Sequence, residues 1–322
     1  MLIETPGFFD LQVNGFAGVD FNQLDLSADR VSETIGVMRT TGVTRLLPTL
    51  ITSSLEHFAA SARVLSRLGD PAIAGIHMEG PYISPEDGAR GAHPREHVRP
   101  ASIDDFKRRQ EAANGRIALV TMAAEVPEAT TLIEHMVESG VRVALGHTAA
   151  TPLQIVDALA AGATMATHLG NGCAQLLPRH PNVIWELLAA DAVFASLIVD
   201  GHHLPPSTVK AMVRAKDPRW SILVTDAIAA AASPPGEYRI GGTIGILRED
   251  GRVSLPGTPY LAGSSLTMDR AVGNAVRFTG LAIDRILPMA STIPAAYIGQ
   301  STAGTIKADW NPHTRELRVL HV

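Results

Sequence analysis

VRVALGHTAATPLQIVDALAAGATMATHLG, residues 141–170, is one strand–helix–strand unit, and its reading decides the fold. Val141–Leu145 is a short, mostly apolar run that ends just before His147. Thr151-Pro152 reads as an N-cap followed by proline in the first helical turn. An amphipathic pattern then runs from Pro152 to Ala161, and Gly162 supplies the left-handed residue that ends a helix. Thr164–Thr167 begins the next strand, which ends at His168. Strands that are nearly all apolar and alternate with helices belong to a parallel sheet covered on both faces.

The same beat recurs along the chain. Further strands are predicted at Gly7–Val13, Thr44–Leu50, Ala72–Met78, Ile117–Met122, Phe194–Val199 and Ser221–Val224. Helical patterns occupy Ala28–Thr41, Leu55–Leu68, Ile103–Ala113, Glu128–Ser139, Asn182–Ala190 and Pro206–Ala215. Eight such units in 322 residues favour an α/β fold of the (β/α)8 TIM-barrel type. The open doubly wound alternative lacks a GxGxxG fingerprint after the first strand, and no Walker A sequence is present. Residues 234–262 break the rhythm with Gly-rich turns and short alternating stretches, such as Tyr238–Ile240 and Arg252–Leu255, which read as a β-hairpin insertion after strand eight. The expected organisation is a barrel over 1–302 and a short β-type tail over 303–322, two strands around an Asn-Pro turn.

Bulk properties narrow the function classes. Hydrophobic content of 46% with 18% charged residues describes a packed globular chain. A net charge of −5 gives no basic footprint for nucleic acid. No apolar run is long enough to cross a bilayer, and the opening MLIETPGFFD does not read as a leader. Cys173, the one cysteine, excludes an internal disulfide and fits a reducing compartment. The expectation is therefore a cytoplasmic protein with no nucleic-acid or membrane partner.

In a TIM barrel the active site lies at the C-terminal strand ends. Those ends supply Gln12 and Asn14, His77 and Glu79, His147, His168, Asp200 and Asp226. Glu79, His147 and His168 form a mixed N/O set that suits Zn²⁺ and leaves a position for water. Such an ion polarises a carbonyl and acidifies water, and Asp226 is the candidate base. Blander readings compete. A histidine in a chain with 12 of them is more often a surface or core residue, a Glu before Gly-Pro is often a turn residue, and a lone Asp often caps a segment. His77 reads as a satisfied buried histidine, and Cys173 as an inert buried thiol rather than a further ligand.

An ordered set of motifs carries a resemblance over nearly the whole chain: PGFFDLQVNGFAGVDF, GIHMEGPYI, GARGAHP, ALGHTAAT, ATHLGNG, IVDGHHL, LVTDAIAA and LAGSSLTMDRAV. Together they resemble the N-acetylglucosamine-6-phosphate deacetylase family of the amidohydrolase superfamily. The resemblance implies an amidohydrolase-type barrel in which Glu79, His147 and His168 hold the metal and Asp226 is the catalytic acid/base. It assigns His93 to the substrate acetamide, and His203 and Arg179 to the sugar phosphate. Asn171 and Gly172 would lie beside the sugar. It further implies a homodimer acting on a small N-acetylated, phosphorylated amino sugar, with His203 near the interface.

Three departures matter. Many amidohydrolases carry His-x-His on the first strand and bind two metals, whereas this chain has Gln12-Val13-Asn14. Amides are poor substitutes for imidazole, so one divalent ion is expected, Zn²⁺ first, with Fe²⁺, Mn²⁺ or Co²⁺ as alternatives. The Gln12 and Asn14 side would be left to solvent or hydrogen bonding. Arg179-His180-Pro181-Asn182 replaces the family's usual Arg-Glu-Pro-Gly. Family members also have a longer stretch before the first motif and a longer ending, so a reduced β appendage is expected. An unphosphorylated or divergent sugar remains compatible with the ligands. A deaminase or cyclic amidase, and a non-catalytic sugar-binding barrel, stand as alternative readings.

Overall fold

The structure is a computed structural model describing residues 1–258 and 260–322. Pro259, inside the insertion expected at 234–262, lies outside the described residues. The barrel strands are β1 (Phe8–Val13), β2 (Val43–Ile51), β3 (Ile76–Glu79), β4 (Ile117–Met122), β5 (Arg142–Leu145), β6 (Met165–Ala166), β7 (Phe194–Ile198) and β8 (Ser221–Val224). They form one eight-stranded sheet in sequence order, and every neighbouring pair is parallel. The TIM-barrel expectation holds.

The barrel closes between β1 and β8. Val13 bridges Ala227 in parallel, Asp226 N donates to Gln12 O at 2.9 Å, and Asn14 N donates to Ala227 O at 2.7 Å. Asp10, fully buried in β1, reinforces this seam. Its carboxylate accepts from Gln12 N and Thr225 N at 3.2 Å and meets Thr225 Oγ1 at 2.5 Å. Burial raises the Asp10 pKa to about 7, because no cation offsets the loss of water.

Helices α1 (Ala28–Arg39), α2 (Leu55–Arg67), α3 (Ile103–Ala112), α4 (Ala129–Glu138), α5 (Pro152–Ala160), α6 (Val183–Ala189) and α7 (Pro206–Lys216) cover β1 to β7. Amphipathic spacing explains their seating: α2 buries Phe58, Ala62 and Leu65 while its other face stays wet. The Thr151 start is a full capping box with Gln154. After the insertion come α8 (Met268–Thr279), α9 (Ile283–Ala290) and α10 (Thr292–Tyr297), which complete the outer ring.

The insertion contains more than a hairpin. Strands β9 (Gly236–Ile240), β10 (Thr243–Leu247) and β11 (Val253–Ser254) form a three-stranded antiparallel sheet. It has a small core of its own, with Ile228, Ile240, Leu247 and Val253 buried together. The tail does form two strands, β12 (Thr305–Asn311) and β13 (Glu316–His321), around an Asn-Pro turn. The strand Leu2–Pro6, which local pattern did not mark, pairs antiparallel with β12. No helix among the described residues is long and apolar enough to cross a membrane.

Candidate active site

Strand register brings distant residues to one rim. Glu79 ends β3, His147 and His168 follow β5 and β6, and Asp226 follows β8. His147, His168 and Asp226 have φ values of 51°, 31° and 49°, in the left-handed region that L-residues seldom occupy. Such backbone is costly and persists where the surrounding structure enforces it. Here it turns each side chain inward at the end of its strand.

Glu79 Oε1, His147 Nε2 and His168 Nε2 lie 3.1 Å from one another, and all three residues are buried. Ligands at tetrahedral zinc distances stand about 3.3 Å apart, so the triangle has the size such an ion requires. The donor chemistry agrees. His147 Nδ1 donates to Ala89 O at 3.0 Å, which turns Nε2 to the other two ligand atoms. Two imidazole nitrogens and a carboxylate oxygen thus converge on one point, a donor set that suits a divalent cation. Burial pushes the Glu79 pKa up, but His147 and His168 more than reverse this and keep the carboxyl ionised. Gly172 fits closely over the pair, since a Cβ there would stand 3.0 Å from His147 Nδ1 and from His168 Cε1.

The two first-strand amides are buried, not solvent-facing. Gln12 and Asn14 are 1% and 4% exposed. Gln12 Nε2 donates to Glu79 Oε1 at 3.0 Å, and Asn14 Nδ2 donates to Asp226 Oδ1 at 2.7 Å. Each amide therefore serves one carboxylate. The Asp226 pKa is raised to about 6, first by burial and then by the negative charge of Glu79. His93 Nδ1 meets Thr52 Oγ1 at 2.9 Å. Burial, followed by the nearby His147, lowers the His93 pKa to about 3, so this ring is neutral. Below the rim, His77 Nδ1 meets Leu11 O at 3.0 Å and Nε2 meets Thr121 Oγ1 at 2.8 Å. It is a satisfied core histidine.

A cavity of about 460 Å³ opens above these groups. Glu79, His147, His168, Asp226 and His93 form its floor, and Asn171, Gly172 and His203 also line it. Arg179 does not line it and sits exposed on the loop after β6. Cys173 lines the cavity without joining the triangle, and burial raises its thiol pKa. Sequence reading missed two partners, Thr52 behind His93 and Asp200 behind His203. Asp200 stood at the end of a predicted strand, but a lone Asp gives no sign of which histidine it will meet.

The chain matches the amidohydrolase family over residues 3–311. It is 33% identical over 312 residues to the N-acetylglucosamine-6-phosphate deacetylase of Bacillus subtilis (strain 168), spanning 92% of this chain and 76% of the relative. It is also 33% identical over 337 residues to the N-acetylgalactosamine-6-phosphate deacetylase of Shewanella sp. (strain ANA-3), spanning 99% and 81%. A solved structure of a mutant N-acetyl-D-glucosamine-6-phosphate deacetylase from Mycobacterium smegmatis, in complex with N-acetyl-D-glucosamine-6-phosphate, superposes with a TM-score of 0.91 at 29% identity. That superposition covers 99% of this chain and 86% of the other.

Proposed function

Because the chain belongs to the amidohydrolase family, we propose that its site hydrolyses the acetamide of an N-acetylated hexosamine 6-phosphate, releasing acetate and the free amino sugar. The observation that carries this is the meeting of the Glu79/His147/His168 triangle with Asp226 on one cavity floor. Relatives named for the glucosamine and the galactosamine substrates are equally similar, so the proposal names the hexosamine class.

Glu79, His147 and His168 would hold one divalent ion, with Zn²⁺ first by donor type and Fe²⁺, Mn²⁺ or Co²⁺ as alternatives. When bound, the ion supplies positive charge that polarises the amide carbonyl and acidifies water. The remaining work falls to the chain. Asn14 occupies Asp226 Oδ1 and leaves Oδ2 to take a proton from the attacking water. Asp226 then returns that proton to the leaving nitrogen, which departs as the amine. His93 is neutral, and in the tautomer whose Nδ1 accepts from Thr52 Oγ1 its Nε2–H would face the carbonyl oxygen as a donor for the developing negative charge. Asn171 and Gly172 flank the sugar, and His203 takes the phosphate end.

Arg179 belongs to the same proposal from outside the cavity. It is exposed, and so are Leu153, Val156, Leu176 and Trp185 on α5, α6 and the intervening loop, the last two at 93% and 54%. We assign this face to a homodimer interface that brings Arg179 towards a phosphate, a reading checked by light scattering. The lone cysteine supports a reducing, cytoplasmic setting.

The deciding experiment is acetate release from N-acetylglucosamine 6-phosphate, N-acetylgalactosamine 6-phosphate and both unphosphorylated sugars, with metal content measured by mass spectrometry. Activity on a phosphorylated sugar with one ion per chain is the expected result. Ammonia release instead of acetate points to a deaminase, and sugar binding without turnover points to a non-catalytic barrel.

A further inference from the structure

The phosphate end of the cavity poses a problem of charge. Among the described residues no lysine or arginine lines the cavity, and its histidines other than His203 stand at the floor. Recognition of an anion from within one chain therefore falls on a single imidazole. An imidazole is an unreliable cation near neutral pH unless a neighbour fixes its protonation.

That neighbour is Asp200, at the end of β7. Its Oδ2 accepts from His203 Nδ1 at 2.6 Å, and the two side chains are 9% and 8% exposed. Its other oxygen, Oδ1, accepts from the backbone N–H groups of His202 and His203, both at 2.8 Å. The two oxygens thus have separate tasks, one shaping the turn and one holding the ring. Asp200 forms no other ion pair among the described residues. These donors outweigh the effect of burial and hold its carboxyl below the usual carboxylate range. His202 turns away and meets Asp250 O at 3.1 Å. With Nδ1 committed to Asp200, Nε2 is the free nitrogen of the His203 ring on the cavity wall.

We propose that Asp200 is a positioning residue for substrate recognition: by holding His203 Nδ1–H it fixes the ring and turns Nε2 to the phosphate of the sugar. The inference rests on the reading of this site as a hexosamine 6-phosphate hydrolase. Asp200 touches no substrate and acts through His203. An isolated imidazole divides its proton between two nitrogens, whereas one held by a carboxylate is a fixed, charge-assisted donor.

Asp200→Asn separates the two tasks. An amide keeps an acceptor for the turn but offers N–H to Nδ1, so the ring loses the acceptor that fixes its Nδ1 proton and its orientation. The expected result is a rise in KM for N-acetylglucosamine 6-phosphate of about tenfold or more with kcat little changed. The kcat/KM for unphosphorylated N-acetylglucosamine stays within about twofold. In a His203→Gln background, Asp200→Asn adds nothing further. Equal losses on both sugars, or losses that multiply in the double variant, overturn the proposal. If His203→Gln leaves the preference for the phosphorylated sugar intact, the phosphate-anchor reading fails first and this inference with it. Histidine ¹⁵N spectra of the wild type give a test independent of variant folding. Nδ1 of His203 is expected to be protonated with and without glucosamine 6-phosphate, and an unprotonated Nδ1 overturns the assignment.

Discussion

The cavity has two unlike walls. Along the strand ends, Glu79, His168, His147 and Asp226 are between 3% and 9% exposed, and each is tied to another strand or loop by a short hydrogen bond. Across from them the insertion and the loop after β6 contribute Thr243, Tyr260 and Leu177. Tyr260 is 41% exposed, and its hydroxyl has no hydrogen-bond partner among the described residues. The first wall is set by barrel register, which cannot shift without breaking the parallel ladder on both sides. The second rests on turns and a small separate core. Groups that must meet a reacting atom to within fractions of an ångström belong on the rigid wall, and groups that only select a sugar can sit on the adaptable one.

Metal removal tests the rigid wall most severely. Dialysis against a chelator is expected to reduce acetate release to background, and one equivalent of Zn²⁺ to restore it. Glu79→Gln is expected to lose the ion and not recover, because its amide offers no charge to the triangle. Metal content by mass spectrometry, read beside the acetate assay, checks both. Full activity in metal-free protein would remove the rigid wall's assigned purpose.

The next largest effect is expected at Asp226. Asp226→Asn keeps the three ligands and is expected to retain the ion while kcat falls by about 10²–10⁴. The pH profile follows from its raised pKa. Asp226 must be ionised to accept a proton, so kcat/KM rises with pH as the carboxyl loses its proton. Burial and Glu79 raise the Asp226 pKa to about 6 and a bound cation moves it lower, so the acid limb is expected at or below about pH 6. A limb well above pH 6 would assign the base to another group.

Much of the rigid wall was legible in the sequence, because apolar runs mark strands and the polar residue after each run falls on the rim. Glu79, His147, His168 and Asp226 were all found this way. What joins them was not legible. Asn14 and Asp226 are 212 positions apart, and their pairing exists only because β1 and β8 close the barrel. The strand Leu2–Pro6 was hidden for the same reason, its partner β12 lying at the far end of the chain. Arg179 is a different case: the resemblance assigned it to the sugar phosphate, and in the folded chain it lies exposed on the loop after β6, outside the cavity lining. Within the insertion Tyr238–Ile240 and Arg252–Leu255 were legible as short alternating stretches, whereas Thr243–Leu247 was not, because its Ile-Gly-Ile-Leu run does not alternate.

One layer below the rim, Asp10 offers a test of the seam that does not involve turnover. In the unfolded chain this carboxyl titrates near 4, whereas in the folded protein burial raises it to about 7. Between these values the folded state binds one more proton than the unfolded state, so stability falls as pH rises. The contribution is fully present below about pH 4 and gone above about pH 7. Denaturant unfolding at pH 5 and pH 8 should therefore show the wild type weaker at pH 8, and Asp10→Asn should flatten that difference. An unchanged slope in the variant would mean that Asp10 is ionised in the seam.

The smallest effect is expected on the adaptable wall. Tyr260→Ala removes an aromatic face from the cavity lip, but a side chain this exposed makes few desolvated contacts. Its interaction with a sugar is present in the ground state and the transition state alike, and loss of uniform binding raises KM without lowering kcat. The expected outcome is a KM change of about two- to fivefold, with kcat and metal content unchanged. A fall in kcat beyond about tenfold would break the division of labour between the walls. It would place Tyr260 among the groups that orient the acetamide, and the insertion would then have to be ordered before chemistry can occur.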